Sequence, residues 1–203
     1  MKISNSNPMF SYSALSEYLI IALPYAEIGE EVKQIKKDFF QAYGAYPGQN
    51  SCGHIRLVSF FQFEEREEKI LGAVQSVLDQ MTSFEVFLDG FGFDGRRRDV
   101  YLDVLNKGSL KDLYDLLRLA LFDQLVSLAF LNPNYDPRMV IGQDLSPLQF
   151  LHAIKAYEQK AYANHFRISR LHVLKRKAPF KVWESLTALP LAKTQSELLS
   201  FYE

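Results

Sequence analysis

The sequence contains a single cysteine, Cys52, and no long uninterrupted apolar run. One cysteine cannot form a disulfide within the chain, and so few cysteines are typical of a reducing compartment. The most apolar segment, 113–131, carries Asp115, Arg118 and Asp123, which favours a packed helix over a membrane span. The first residues lack the apolar core of a signal peptide. These absences predict a soluble cytoplasmic protein with no membrane partner.

Neither sign of charge is in excess, since 23 lysines and arginines are balanced by 24 aspartates and glutamates. A net charge of -1 gives no broad positive field, so DNA is not an expected partner, although a local basic cleft is compatible with this balance. The glycine-rich run at 90–95 lacks the Gly-Lys-Ser/Thr ending of a phosphate loop and predicts a hairpin. His152 and His165 lack the spacing of metal ligands, so neither a metal nor another cofactor is expected.

Strand and helix patterns alternate along the chain. Apolar runs of strand length end at turn residues, and the helical segments repeat apolar residues every three or four positions. The predicted strands lie at 17–23, 53–61, 84–91, 99–104, 138–142, 166–176 and 181–189, and the predicted helices lie at 28–43, 64–81, 109–130 and after 146.

The order strand, helix, strand, helix, strand occurs twice at a nearly constant offset, which relates Glu17 to Asp99 and Phe84 to Phe166. The chain therefore has the pattern of a fused duplication. It predicts one two-lobed α+β domain with pseudo-twofold symmetry, in which two antiparallel or mixed sheets face a central cleft and the helices lie outside. The predicted boundaries are about 16–92 for the first repeat, about 97–177 for the second and 178–203 for a C-terminal extension.

The strand at 53–61 carries two polar groups on an otherwise apolar element. Because side chains alternate across a strand, His54 and Arg56 are predicted to share one face. Val58 and Phe60 are assigned to that same face. An imidazole and a guanidinium are costly to bury without partners, so the pair faces either a cleft or ligand, or the solvent beside an edge strand.

Several segments together resemble one known family, the two-histidine phosphoesterases that include 2′-5′ RNA ligases and cyclic phosphodiesterases. The resemblance covers roughly 17–189. It implies a His-x-Thr/Ser motif in each half, with two histidines as general acid and base and two hydroxyls that hold the phosphoryl oxygens. The segments that carry it are Gly-His-Ile-Arg-Leu at 53–57, Phe-Leu-Asp-Gly-Phe-Gly-Phe at 87–93, Pro-Arg-Met-Val-Ile-Gly at 137–142 and Leu-His-Val-Leu at 171–174.

The chain departs from that motif pair at three of its four positions. His54 stands at the first histidine, but Arg56 replaces the first hydroxyl, Arg138 the second histidine and Val140 the second hydroxyl. Arginine does not release its proton near neutral pH, so the active site is predicted to be degenerate. Two guanidinium groups beside an imidazole suit a phosphate. We therefore expect Arg56 and Arg138 to bind a phosphorylated small molecule, a nucleotide or an RNA end, with His54 at the catalytic position.

Two alternatives stay open. The chain is an enzyme, a cyclic phosphodiesterase or RNA ligase in which His54 works with a non-standard partner such as His172. Alternatively, the arginines face solvent or pair with carboxylates such as Asp89, Asp99 or Asp103, and the fold serves another role. In that case the chain is a scaffold that binds a partner protein, for which the apolar segment at 198–201 is the candidate surface. Cys52 precedes His54 by two residues, and its role is not assigned.

Overall fold

The structure is a computed structural model that describes residues 14–122, 124, 134–177 and 182–192. Its strands and helices largely coincide with the predicted ones, because apolar alternation and helical periodicity are clear along most of the chain. The predicted C-terminal surface at 198–201 lies outside the described residues. The strands are β1 (Leu15–Ala22), β2 (Ile55–Phe63), β3 (Phe84–Asp94), β4 (Asp99–Val104), β5 (Arg138–Gly142), β6 (Ala163–Ile168), β7 (Arg170–Lys177) and β8 (Glu184–Pro190), and the helices are α1 (Ala26–Tyr43), α2 (Glu67–Leu78), α3 (Gly108–Phe122) and α4 (Pro147–Tyr157).

Sequence signals explain where several of these helices begin and end. Gly44 follows α1 with φ of 81°, a left-handed conformation that glycine adopts without steric cost. At the start of α4, Ser146 accepts a hydrogen bond from the Gln149 amide, the Gln149 side chain bonds back, and Pro147 fills the first position. None of the helices in the described part of the chain is both long and apolar enough to cross a membrane.

The strands form one curled antiparallel sheet, not the two sheets predicted from the sequence. Its order is β6-β3-β4-β5-β2-β1-β7-β8. The two predicted sheets are continuous because β2 and β5 join through a single pair, Ile55 opposite Met139. The lobes and their pseudo-twofold relation stay a prediction. Counted outward from this junction, β4 takes the same place on one side as β1 does on the other, and β3 takes the same place as β7. By position in the sheet, Phe84 of β3 therefore corresponds to a residue of β7 and not to Phe166, which lies on β6.

The predicted strand at 166–176 is divided into β6 and β7. Only Ser169 separates them, yet β6 pairs with β3 near one end of the sheet and β7 pairs with β1 near the other. One residue spans only about 3.5 Å, so the sheet curls until these two regions meet. The chain beyond 177 also contributes to the sheet, because β8 pairs with β7 and is not merely an appended tail.

Candidate functional site

A cavity of about 500 Å³ lies over the junction of β2 and β5. All four positions of the predicted motif pair line it: His54, Arg56, Arg138 and Val140. The hairpin between β3 and β4 and the loops before β2 and β5 complete its walls. Further lining residues are Lys36, Ser51, Leu57, Ser59, Asp94, Arg96, Arg97, Asp99, Tyr114, Tyr135, Asp136 and Gln143.

The pairing of β2 with β5 explains why these four side chains meet. Ile55 and Met139 face each other across the junction, and both are fully buried in the core. Since neighbouring residues on a strand point to opposite faces, the residues on either side of this pair point away from the core. This convergence was predicted from the sequence, although β2 begins at Ile55, two residues later than expected.

A bulge in β2 corrects the predicted face of Val58 and Phe60. Ile21 of β1 pairs with Arg56 and Ile20 pairs with Val58, so the residue between them is extra. An extra residue reverses the alternation beyond it. Val58 and Phe60 are therefore in the core, and Ser59 lines the cavity instead.

The second motif strand has a bulge at the matching place. Tyr101 of β4 pairs with Val140 and Val100 pairs with Gly142, which leaves Ile141 extra. In β2 the extra residue is Leu57, which likewise follows the second motif position directly. The two strands thus share an irregularity as well as a sequence pattern, which favours the correspondence of Arg138 with His54.

His54 is held as a neutral imidazole with a fixed tautomer. Its Nδ1 lies 2.8 Å from the carbonyl oxygen of Cys52, and because a carbonyl only accepts, Nδ1 carries the proton. Burial lowers the pKa of His54 to about 4, with the charges of Lys36 and Arg56 acting in the same direction. At neutral pH, Nε2 therefore presents a lone pair and serves as a hydrogen-bond acceptor.

Arg56 presents a free cation to the cavity. Among the residues that the structure describes, its guanidinium makes no hydrogen bond or ion pair, while its backbone carbonyl accepts a 2.9 Å bond from Tyr135. Partial burial and the nearby charge of Arg97 lower the pKa of Arg56, which remains protonated at any physiological pH. An unpaired guanidinium in a cavity is suited to bind an anion.

Arg138 is already neutralised. Its Nη2 lies 2.9 Å from Asp94 Oδ2 and 3.9 Å from Asp99 Oδ2, and its guanidinium lies 4.7 Å from the centre of the Tyr101 ring. Burial alone would lower the pKa of Arg138, but the hydrogen bond and charge of Asp94 raise it. The structure thus places Arg138 in the cavity wall as predicted, but with an internal partner for its charge.

The hairpin between β3 and β4 adds three residues that sequence reasoning missed, Asp94, Arg96 and Arg97. Asp94 Oδ1 accepts the backbone amides of Arg96 and Arg97, and this closes the turn. Arg97 Nε lies 3.2 Å from Asp99, whose side chain is almost fully buried. Burial raises the pKa of the Asp99 carboxyl. The sequence signal for this cluster is the run Arg96-Arg97-Arg98, which directly follows the predicted hairpin run at 90–95.

Lys36 was also missed, because it lies on a helix whose other lysines face solvent. Its ammonium is buried and donates to the carbonyl oxygens of Gly48 and Ser51 and to the Ser51 hydroxyl. Burial lowers the pKa of Lys36 to about 8. The cavity is lined by five cationic side chains and three carboxylates, so its field is positive in a protein of nearly zero net charge.

The remaining histidines and Cys52 lie outside this cavity. His172 is on β7, where it pairs with Ile21 and Ala188, and it is not a lining residue. Cys52 is exposed and lines a neighbouring groove. Within the described ranges, no three side chains of histidine, cysteine, aspartate or glutamate converge on a metal position.

Comparison with known proteins agrees with this architecture. The fold is similar to that of E. coli LigT complexed with 3'-AMP, with a TM-score of 0.63 and 17% identity over 87% of this chain and 98% of that chain. It is also similar to TT0787 of Thermus thermophilus (TM-score 0.66, 12% identity, 87% and 98% covered) and to Kluyveromyces marxianus Usb1 (0.54, 14%, 87% and 98%). No curated protein sequence matches the chain.

At such identities the structural likeness establishes the fold alone. The sequence itself provides the family, because a family model for the 2'-5' RNA ligase superfamily matches residues 24–179. That match includes both motif strands and all the residues of the cavity described above. The chain therefore belongs to the 2'-5' RNA ligase superfamily.

Proposed function

We propose that the cavity binds the phosphate group of a nucleotide or an RNA end, and that this chain has lost two-histidine catalysis. The observation that carries the proposal is the guanidinium of Arg56, which points into a positive cavity without an internal partner among the described residues. A phosphate there would accept bidentate hydrogen bonds from Arg56. Neutral His54 would accept a hydrogen bond from a neighbouring hydroxyl of the ligand or from a protonated phosphate oxygen.

The second motif strand supports the proposed loss of catalysis. General acid-base catalysis of phosphodiester cleavage needs one group to remove a proton and another to supply one. Arg138 holds its protons and is paired with Asp94, so it does neither. Asp99 is the cavity carboxyl whose pKa is raised, but its oxygens already accept from Arg97 and from the Asp144 amide.

The ligand class is supported by what related folds bind. E. coli LigT has been crystallised with 3'-AMP, with phosphate, with ATP and with NADP+, all of which carry phosphate groups. For this chain the phosphate is the shared feature that Arg56 would recognise. An RNA end presents the same group, which makes it the second ligand within the proposal.

A catalytic alternative rests on His54 alone. Its free Nε2 lone pair would let it remove a proton, as a general base does, but a pKa of about 4 makes it a weak base. The alternative requires a second proton donor in the cavity, and His172 is not there. Turnover of 2′,3′-cyclic AMP that disappears in His54→Ala would favour this alternative over simple binding.

The test is a thermal-shift titration with phosphate, 3'-AMP and 2′,3′-cyclic AMP. A ligand at 100 times its Kd stabilises the folded protein by about 2.7 kcal/mol, which raises Tm by roughly 5–10 °C for a chain of this size. Arg56→Ala should abolish the shift while the Tm without ligand stays unchanged, because Arg56 has no ion pair to lose among the described residues.

The matched control is Arg118→Ala, which removes an arginine from α3 whose ion pair is with Asp115, outside the cavity. It should retain the full shift of the wild type. Product analysis by chromatography in the same samples should find the cyclic nucleotide intact. An absence of any shift with all three ligands would refute the proposal.

A further inference from the structure

A second concave surface, a groove of about 670 Å³, adjoins the cavity. It lies between α1 and the loop at 49–53, and its walls are mostly apolar. Lys36 and Ser51 line both the groove and the cavity, so they form the partition between the two. Because Lys36 Nζ bonds to Ser51, this partition is fixed within the structure.

The groove combines exposed aromatic rings with cations. Tyr25 and Phe40 line it and remain 49% and 42% exposed, which is high for aromatic side chains. The Tyr25 hydroxyl accepts a hydrogen bond from the Arg167 amide, and this bond orients the ring. Lys33 is paired with Glu30, whereas Lys37 has no ion pair among the described residues.

Two glycines shape the groove. Gly29 lies inside α1, where glycine costs about 1 kcal/mol relative to alanine, and a Cβ there would meet nothing within 4 Å. Packing therefore does not require this glycine, and its absence of a side chain leaves the groove open. Gly53 is different, because a Cβ would lie 2.6 Å from Val32 Cγ1. The loop that forms the far wall is thus seated directly on α1.

The groove and the cavity share a wall. Cys52 lines the groove, His54 lines the cavity, and the His54 ring bonds to the Cys52 carbonyl. A single strand with one phosphate at Arg56 would therefore continue across this shared wall into the groove.

We infer that the groove is a second nucleotide subsite, in which a base stacks on Phe40 or Tyr25 and Lys37 contacts the adjoining phosphate. Proteins bind single-stranded nucleic acid without reading its sequence by stacking its bases on aromatic side chains that lie beside cations. The inference rests on the proposed phosphate site and narrows its ligand to single-stranded RNA. Continuity with the positive cavity favours RNA over a peptide as the occupant.

The test compares a mononucleotide with short RNA. The probes are 3'-AMP and two oligoadenylate pentamers, one with a 3′-phosphate and one with a 5′-phosphate. The two pentamers distinguish the directions in which an RNA strand can run from the cavity into the groove. For the wild type, one pentamer should bind at least about tenfold more tightly than 3'-AMP. Phe40→Ala and Lys37→Glu should each remove most of that gain and leave the affinity for 3'-AMP unchanged.

Gly29→Leu provides a variant that blocks the groove without removing a charge or an aromatic ring, and it should reduce pentamer binding alone. Phe122→Ala and Lys155→Ala are the matched controls, since both side chains are exposed on other helices and should alter neither affinity. Arg56→Ala should weaken all the probes.

The outcomes separate the two proposals. The groove is not an RNA subsite if the pentamers bind no more tightly than 3'-AMP, or if their higher affinity survives Phe40→Ala, Lys37→Glu and Gly29→Leu. Either result is the one expected if a peptide occupies the groove. Failure of 3'-AMP to bind, with pentamer binding lost in Phe40→Ala but retained in Arg56→Ala, would overturn the cavity proposal and retain the groove. No binding of any probe would overturn both.

Discussion

Arg56 and Arg138 lie on the same side of the Ile55–Met139 pair, one on each strand, yet of the two only Arg138 has carboxylate partners among the described residues. Two guanidinium groups this close repel each other unless a negative charge lies between or beside them. Asp94 and Asp99 supply that charge from the neighbouring hairpin. The site is therefore asymmetric, with one arginine bound internally and the other available to an external anion.

Asp94→Asn should release the charge of Arg138 to the cavity. The amide oxygen can still accept the Arg96 and Arg97 amides, so the hairpin is kept while the charge is lost. We expect a loss of roughly 1–2 kcal/mol in the free energy of unfolding, measured in urea. Phosphate should bind about threefold or more tightly by calorimetry, because one repelling carboxylate is gone.

The control for this change is Asp89→Asn, an exposed aspartate on the same strand. It should alter neither the unfolding free energy nor the phosphate affinity. Weaker phosphate binding in Asp94→Asn would contradict the conclusion that Asp94 neutralises the charge of Arg138.

His54 should make folding stability depend on pH between about 4 and 6.5. Its pKa is about 4 in the folded protein, against an ordinary value near 6.5, so the unfolded chain binds the proton more readily. The stabilisation is complete above pH 6.5 and is lost as pH falls towards 4. Across this window, the unfolding free energy of the wild type, measured in urea, should fall by on the order of 1–3 kcal/mol more than that of His54→Gln. Parallel curves for the two proteins would show that His54 is not held neutral.

Gly53→Ala should destabilise the protein, since its Cβ would press on the Val32 side chain at 2.6 Å and on Met139 Sδ at 3.2 Å. Both neighbours are fully buried, so they cannot move aside freely. The expected loss is roughly 1–3 kcal/mol in the unfolding free energy. Gly29→Ala is the matched change in open space, and it should raise the unfolding free energy by up to about 1 kcal/mol because alanine favours the helix. Equal effects of the two substitutions would contradict the described packing of the loop on α1.

Arg138→His combined with Val140→Thr should restore a weak phosphodiesterase. The pair replaces a permanent cation and a methyl group with a titrating imidazole and a hydroxyl at the positions that the superfamily motif implies. A correctly placed acid or base contributes about 10²- to 10⁴-fold, so hydrolysis of 2′,3′-cyclic AMP near pH 6.5 should rise above the wild-type background. A wild type that already turns over as fast as the double variant would contradict the proposed loss of catalysis.

The features that were predicted correctly are those that a single segment of the sequence specifies by itself. The motif strands, the helices of the first half and the convergence of His54 with Arg56 and Arg138 were predicted, because alternation and periodicity report them directly. The faces of Val58 and Phe60 were wrong, because a single extra residue in β2 reverses the alternation. Nothing in the sequence of β2 alone specifies this bulge, which depends on how β1 pairs with it.

The site was predicted only in part for a similar reason. Motif positions are recognisable in sequence, but the partners of Arg138 come from the end of β3 and the start of β4, far along the chain. Ion pairs between distant segments depend on sheet order, and that order was expected as two sheets and is one. The available charge of Arg56 and the occupied charge of Arg138 could be distinguished only in three dimensions.

The position of β1 between β2 and β7 also has a consequence for how the chain is made. During synthesis, β1 and β2 emerge early, but the second neighbour of β1 ends at Lys177. Until then one edge of β1 exposes unpaired backbone groups, and the partner of β3 at 163–168 is missing as well. A truncated product that ends before 163 would therefore leave β1 and β3 each with one unpaired edge, and it would be prone to aggregate through these edges.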